Sequence, residues 1–481
     1  MPSTKNLEKK SFYITSTLPY VNAKPHIGFA MELIRADIIA RYKKLIGFEI
    51  FFNTGTDEHG QKIFQKAREA GKEVKEYVDE YAEKFRSLKE LLNLTTDLNF
   101  VRTTDEFHIK AAEEFWRIAR ENGFIYKKKY KGLYCVSDEL FLTEKELVGG
   151  RCPAHPNEEP TSVEEENYFF KLSDFQNKLL ELYKSNPDFV IPETRFGEIK
   201  KFVESGLEDF SISRLKEKMP WGIPVPTDPE HVMYVWFDAL VNYISVIGWP
   251  DDMERFNKWW PVTQYAGKDN LRQQAAMWQA MLMAVGLPPS RRIIINGFIT
   301  SGGVKMSKSL GNVISPTEIV EEYGAEALRY FVARELHPFE DSDFTKEKFK
   351  EAYNANLANG LGNLVSRIMK MAEIHLEKPP AIPEATMPED FKGALDRFNI
   401  QEAANIVWKQ IGELDKKIQE TEPFKMVKTD PEKAKEIISG LVVRLYTIGR
   451  MLNPLMPETS EKIKKAVKEN KTPQKPLFLR K

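Results

Sequence analysis

The sequence predicts an α/β protein: a Rossmann-like, doubly wound parallel sheet split by an insertion domain and followed by an all-α helical bundle. Three observations carry this prediction. Residues 11–53 read as strand, helix, strand; a similar strand-and-helix texture returns over residues 265–296; and after about Phe344 strands give way to long amphipathic helices. At 481 residues the chain is too long for one core, so several domains are expected.

The first element is the apolar, β-branched run 11–17, after which Pro19, Asn22 and Pro25 mark a loop. From Ile27 onward, Met31, Ile34, Ile38, Tyr42 and Leu45 recur at helical spacing, and Gly47 closes the helix. Residues 49–53 form a second short apolar strand. Such a βαβ unit builds a doubly wound sheet, which binds ligands at the carboxyl ends of its strands. Later, Tyr265 and Ala266 lead into a helical stretch with Ala275, Trp278, Met281 and Leu282, and 293–296 is a further strand. Two halves of one sheet, 1–121 and 227–344, therefore flank an insertion at 122–226 that is rich in turns and holds both cysteines. The last domain, 345–481, has predicted helices at 352–375, 394–419 and 431–451, with a loop of Pro379, Pro380 and Pro383. The tail 462–481 is lysine-rich, carries Pro473 and Pro476, and is expected to be partly extended.

Hydrophobic residues make up 42% of the chain, enough for several cores, and 29% charged residues give a well-solvated surface. Lys and Arg number 70 against 71 Asp and Glu, a net charge of −1, so any basic face for nucleic acid is local. The N-terminus has no apolar stretch of signal-peptide length and no long uncharged run follows, so no membrane segment is expected. The two cysteines, Cys135 and Cys152, exclude a disulfide scaffold and point to a reducing, cytoplasmic setting.

Two motifs suggest chemistry. Pro25-His26-Ile27-Gly28 sits where the first loop turns into the first helix, whose N-terminus favours phosphate. There His26 can donate to an anion, and Gly28 lets a flat ligand such as adenine approach the backbone. Taken alone, the same residues also read as a helix start with a capping histidine. The second motif is Lys305-Met306-Ser307-Lys308-Ser309, preceded by Ser301-Gly302-Gly303 and followed by Gly311. Two lysines around a serine loop with glycine hinges suit a mobile clamp for a triphosphate; the plainer alternative is a solvated basic turn.

Together the two motifs resemble the signatures of class I aminoacyl-tRNA synthetases, and the resemblance extends to the methionyl-tRNA synthetases across nearly the whole chain. Matching segments are Leu18-Pro19-Tyr20-Val21-Asn22, Gly55-Thr56-Asp57-Glu58-His59-Gly60, Ser211-Ile212-Ser213-Arg214, Trp221-Gly222-Ile223-Pro224, Tyr234-Val235-Trp236-Phe237-Asp238-Ala239 and Gly267-Lys268-Asp269-Asn270. The resemblance implies activation of L-methionine by ATP with Mg2+, giving methionyl-adenylate, and transfer to the 3′ end of tRNA(Met). It implies that His26, Lys305 and Lys308 stabilise phosphate charge, with Gly28, Glu32 and Asp269 also at the nucleotide. Asp57 would hold the methionine ammonium, and Leu18, Tyr20, Trp236, Ala239, Tyr243, Gln274 and Trp278 would enclose its side chain. Asn363, Arg367 and Phe424 match positions that read the anticodon, Phe424 standing where tryptophan is common.

Cys135-x-x-Asp138 and Cys152-x-x-His155 have knuckle-like spacing, and many relatives carry cysteine where Asp138 stands. The four can hold tetrahedral Zn2+; equally, the site can be a decayed one in which Cys135 is a buried hydrophobe. Three family histidines are missing: Phe29, Gln274 (with Gln273 beside it) and Asn296 stand in their places. These changes leave open a re-tuned enzyme, a paralogue with altered amino-acid choice, or a non-catalytic tRNA-binding paralogue. The chain ends soon after the bundle, with no appended oligonucleotide-binding domain, which suggests a monomer.

Overall fold

A computed structural model describes residues 10–135, 140–142, 144, 147–153, 159–306, 312–384 and 387–481. By packing, the chain divides into two compact units: Met1–Pro25, Glu49–Ser87 and Asp97–Asn296 in one, His26–Phe48, Leu88–Thr96 and Gly297–Lys481 in the other.

The first unit is built on a six-stranded sheet. Its strands are β1 (Ser11–Thr15), β2 (Glu49–Thr56), β3 (Leu98–Arg102), β4 (Val190–Ile191), β5 (Thr263–Gly267) and β6 (Arg292–Asn296). They lie in the order β3-β2-β1-β5-β6-β4, and every pairing is parallel. This is the expected doubly wound pattern, with the order reversing beside β1, where such sheets offer their ligand crevice. Tyr13, Ile14, Phe52, Val101 and Ile293 to Ile295 are all buried, as strands covered on both faces require. β4 comes from within the predicted insertion and pairs Ile191 with Ile294, so that stretch of sequence contributes to the main sheet. The rest of the insertion carries an antiparallel sheet of Ile125–Cys135, Leu140–Leu142, Thr161–Phe170 and Phe210–Ser211. Its long ribbon sets Lys129 opposite Glu166 and Lys131 opposite Glu164, opposite-charge pairs that favour this register.

The second unit holds α1 (Ile27–Leu45), α3 (Ala325–Arg334), α4 (Asn363–His375), α5 (Ile400–Thr421), α6 (Pro431–Leu455) and α7 (Pro457–Glu469); α2 (Val235–Leu240) belongs to the first. α1 is buried on nearly every side, charged residues included. Buried charges need partners. Asp37 pairs with Arg41 and Arg329, each at 2.7 Å, and Arg35 donates to the carbonyls of His337 (2.7 Å) and Pro338 (3.0 Å). Arg329 also donates to the carbonyls of Leu455 and Pro454, satisfying acceptors that the end of α6 leaves over.

Three sequence expectations are refined here. The helix predicted over 352–375 is continuous, but Tyr353–Gly362 winds as a π-helix. The helix predicted over 394–419 is two helices, Glu389–Asp396 and α5, broken where Phe398 takes φ 60° and Asn399 caps α5 by accepting from the Glu402 N–H. The tail, predicted to be partly extended from 462, is helical to Glu469, where Ile463, Ala466 and Val467 give α7 a buried face, and has no helix or strand from residue 471 on.

Candidate active site

Asp57 follows β2 at the carboxyl edge of the sheet and is buried. It forms a parallel bridge with Tyr20: the Asp57 N–H donates to the Pro19 carbonyl (3.0 Å), and the Val21 N–H donates to the Asp57 carbonyl (3.2 Å). The loop after β1 and the turn after β2 are thereby locked together. Trp236 on α2 meets the Tyr20 ring edge-on at 6.3 Å, and Ala239 lies one turn further along. Tyr243 and Trp278 are buried with ring centroids 5.9 Å apart, and Gln274 donates to the Tyr243 hydroxyl at 2.9 Å. Leu18 is half-buried against the same core. The predicted amino-acid set thus falls into two groups, one around Tyr20 and Trp236, the other around Tyr243 and Trp278.

The neighbours of Asp57 do the anchoring. Glu58 is fully buried and accepts two bonds from Arg102 (2.7 and 2.8 Å), one from Thr104 (2.6 Å) and one from Thr56 (2.7 Å). His59 bonds through Nδ1 to Asp238 (3.1 Å), between Trp236 and Ala239 in sequence, and His108 approaches the other Asp238 oxygen at 3.9 Å. Burial opposes charge on Asp238, but His59 and His108 outweigh it and hold the carboxyl below its usual value. None of Glu58, His59, Arg102, His108 and Asp238 was singled out from sequence. Glu58, His59 and Asp238 sit inside motifs that were; for Arg102 and His108 no local signal exists.

Asp269 is exposed at the carboxyl end of β5. A Cβ on Gly267 would lie 2.6 Å from its carboxylate, so glycine is needed there for Asp269 to take this position. Asn296, beside it on β6, is buried and leans on the Ala266 carbonyl at 3.4 Å.

The second unit carries the predicted nucleotide residues. His26 is the N-cap of α1: its Nδ1 accepts from the Gly28 N–H at 3.1 Å, so the plainer alternative of a capping histidine is realised. With Nδ1 as acceptor, the neutral ring carries its proton on Nε2, which can donate outward. A Cβ on Gly28 would stand 3.0 Å from the imidazole, so glycine makes room for the cap. Glu32 and Phe29 are buried in α1. Val304–Lys305 pairs antiparallel with Ile299–Ser301 across Gly302 (φ 63°) and Gly303 (φ 77°), a two-residue hairpin of the kind that positive φ permits. Asp343 anchors it, accepting from the Gly303 N–H (2.9 Å) and the Thr300 hydroxyl (3.1 Å). Beyond the loop, the Ile314 carbonyl accepts from the Ile27 N–H at the tip of α1 (3.0 Å). Lys308 lies outside the described residues, as does the side chain of Lys305.

At the other predicted sites, Asn363 is exposed at the start of α4, and Arg367, four residues on, pairs with Asp415 of α5. Phe424 is 47% exposed on the short helix Pro423–Met426, whose N-cap Glu422 has positive φ. Cys135 and Cys152 are buried in one small cluster with Leu142 and are not joined as a disulfide. Asp138 and His155 lie outside the described residues; among those described, no three metal-ligating side chains converge. No described helix is long and apolar enough to cross a membrane.

Comparisons with known proteins agree in direction. The profile of the tRNA synthetases class I (M) matches residues 12–162 and 154–369. The methionine–tRNA ligase of Thermotoga maritima is 41% identical over 96% of this chain and 76% of its own length. That of Brucella suis is 40% identical over 95% and 92%. The Mycobacterium tuberculosis methionyl-tRNA synthetase in complex with methionyl-adenylate superposes with a TM-score of 0.89 at 37% identity, covering 94% of this chain and 93% of that one.

Proposed function

The chain belongs to the class I tRNA synthetases (M), and we propose that it is a methionine–tRNA ligase whose chemistry runs through the residues described above. It activates methionine with ATP and transfers the aminoacyl group to the 3′ end of tRNA(Met). In the first step the methionine carboxylate attacks the α-phosphorus of ATP, and pyrophosphate leaves. In the second a terminal tRNA hydroxyl attacks the acyl carbon of the adenylate, and AMP leaves. No protein nucleophile is needed, so catalysis is positioning plus stabilisation of charge.

Asp57 holds the ammonium, and Leu18, Tyr20, Trp236, Ala239, Tyr243, Gln274 and Trp278 enclose the thioether. Gly28, Glu32 and Asp269 bind the nucleoside part of ATP; His26, Lys305 and Lys308 receive the phosphates, whose charge is also offset by the magnesium that accompanies ATP. The observation that supports this reading most is the bridge between Asp57 and Tyr20 with Trp236 edge-on to that ring. It sets a carboxylate suited to an ammonium beside aromatic walls suited to a polarisable thioether. ATP–pyrophosphate exchange tests it across a panel of amino acids. Methionine-dependent exchange is expected; exchange with another amino acid, or none, would overturn the assignment. The altered-specificity reading has one observation in its favour, the buried Gln273 carbonyl oxygen, which has no hydrogen-bond partner among the described residues.

The proposal extends to the rest of the chain. Residues 122–226 serve as the connective insertion between catalytic halves 1–121 and 227–344, and 345–481 reads the anticodon through Asn363, Arg367 and Phe424, in a monomer working in the cytoplasm. Two buried sulfurs in one cluster fit a soft metal, so Cys135 and Cys152 would hold zinc with Asp138 and His155, where it supplies cross-linking and no chemistry. Metal analysis of the purified protein checks this: about one zinc per chain is expected, and Cys152→Ser should lose it.

A further inference from the structure

Three glutamines, one on β5 and two on the helical stretch Gln273–Ala284 that follows it, meet inside the first unit. Gln264 on β5 is fully buried and donates from Nε2 to Oε1 of Gln274 at 2.7 Å. Gln274 in turn donates from its own Nε2 to the Tyr243 hydroxyl at 2.9 Å. Gln279 donates to the Gln274 backbone carbonyl at 2.7 Å and accepts from the Ser290 N–H at 2.9 Å. Gln274 lies in the π-helical turn Gln273–Met277, a local widening that recurs at functional sites. It is therefore held at both its backbone and its side chain.

The direction of the relay follows from what it leaves over. As arranged, the one side-chain atom of the relay with no partner among the described residues is the Gln264 amide oxygen. Reversing both amides would instead strand the Gln264 NH2, and a buried amide that loses both donors is the costlier arrangement. The relay therefore runs from Gln264 to Gln274 to Tyr243, and the Tyr243 oxygen accepts at its end. Tyr13, which donates to the Tyr243 carbonyl at 3.0 Å, holds the same residue through its backbone.

We propose that Gln264 is a positioning residue for amino-acid recognition: it fixes the orientation of the Gln274 amide and, through it, the hydrogen-bonding role of the Tyr243 hydroxyl. This rests on the assignment of Tyr243 and Gln274 to the methionine site, where an amide relay takes the place of a titrating imidazole. Neither Gln264 nor Gln279 needs to touch substrate for this.

Three variants test it in ATP–pyrophosphate exchange. Gln264→Leu removes the donor and is expected to raise KM for methionine about tenfold while KM for ATP stays put, the scale of one hydrogen bond lost from a buried network. Gln264→His retains an N–H and should recover part of that loss. Gln264→Glu donates to Gln274 only while protonated, so its KM for methionine should be lower at about pH 6 than at about pH 8.5 by more than that of the parent chain. A role in shape alone would move none of these selectively. Values of KM for methionine within about twofold of the parent in Gln264→Leu and Gln264→Glu at both pH values overturn the proposal. So does a parallel rise in both KM values with a lowered melting temperature, which marks damage to the fold. A parent chain with no methionine-dependent exchange overturns the site assignment together with the proposal, whereas an active parent with unaffected variants overturns the proposal alone.

Discussion

Asp57 and His26 are both assigned to substrate, yet the regions around them are built differently. Around Asp57, side chains from β2, β3, α2 and the helix holding His108 converge: Glu58 takes four hydrogen bonds, and Asp238 lies between two histidines. Nearly all of it is buried. Around His26 the devices are short-range or backbone: a capping ring and a bond from the Ile27 N–H at the tip of α1 to the Ile314 carbonyl. His26 itself is exposed. The difference suits the roles proposed for the two residues. A carboxylate that is to meet an ammonium out of water must be held by neighbours that also keep water away. Donors that meet a triphosphate work at a helix tip, open to the ligand.

The largest test of this contrast is Asp238→Ala, which leaves two buried imidazoles without their common partner. A loss of about 3 kcal/mol in folding stability is expected, read from urea unfolding; a loss under about 1 kcal/mol would show that the network does not organise the region. His26→Ala should reverse the pattern, slowing kcat in exchange about 100-fold while costing only about 1 kcal/mol of stability for the lost cap. His26→Asn sharpens it, since asparagine keeps a cap but lacks the ring's reach; near-parent stability with slow exchange is expected. Phe424→Ala should raise KM for tRNA about fivefold through lost stacking and leave the unfolding midpoint in place, as befits an exposed ring. The smallest effect lies in acid. The depressed carboxyl of Asp238 contributes stability above its ordinary value of about 3.9, and that contribution fades as pH falls through the folded value. The melting temperature should therefore drop less steeply below about pH 4 in Asp238→Asn than in the parent chain.

The motifs of the candidate site were legible because they are contiguous. The run from Thr56 to Gly60 and that from Tyr234 to Ala239 announce themselves in one dimension. Their purpose as a pair does not: His59 and Asp238 are 179 residues apart, and only the fold sets them at 3.1 Å. Helix ends were read less well. The break at Phe398 depends on a positive φ that nothing in the local pattern demands, and the π-helical stretch Tyr353–Gly362 buries Tyr353, Leu357 and Leu361 at a spacing of four that an α-helix also offers. The grouping of α1 with the helices of the second unit was also hidden, since a strand-helix-strand pattern places that helix beside its strands in sequence alone.

By itself the sequence determined the parallel sheet, the change to helices after Phe344, and the motifs on which the proposed site rests, because periodicity and short motifs record local geometry and chemistry. Only the tertiary structure decided that Asp238 serves two histidines, that Arg329 pairs with Asp37 inside the second unit, and that Gln264 steers Gln274. The reason is physical. A buried polar group is satisfied by whichever partner the folded chain brings within about 3 Å, and that partner leaves no trace at any fixed spacing along the sequence.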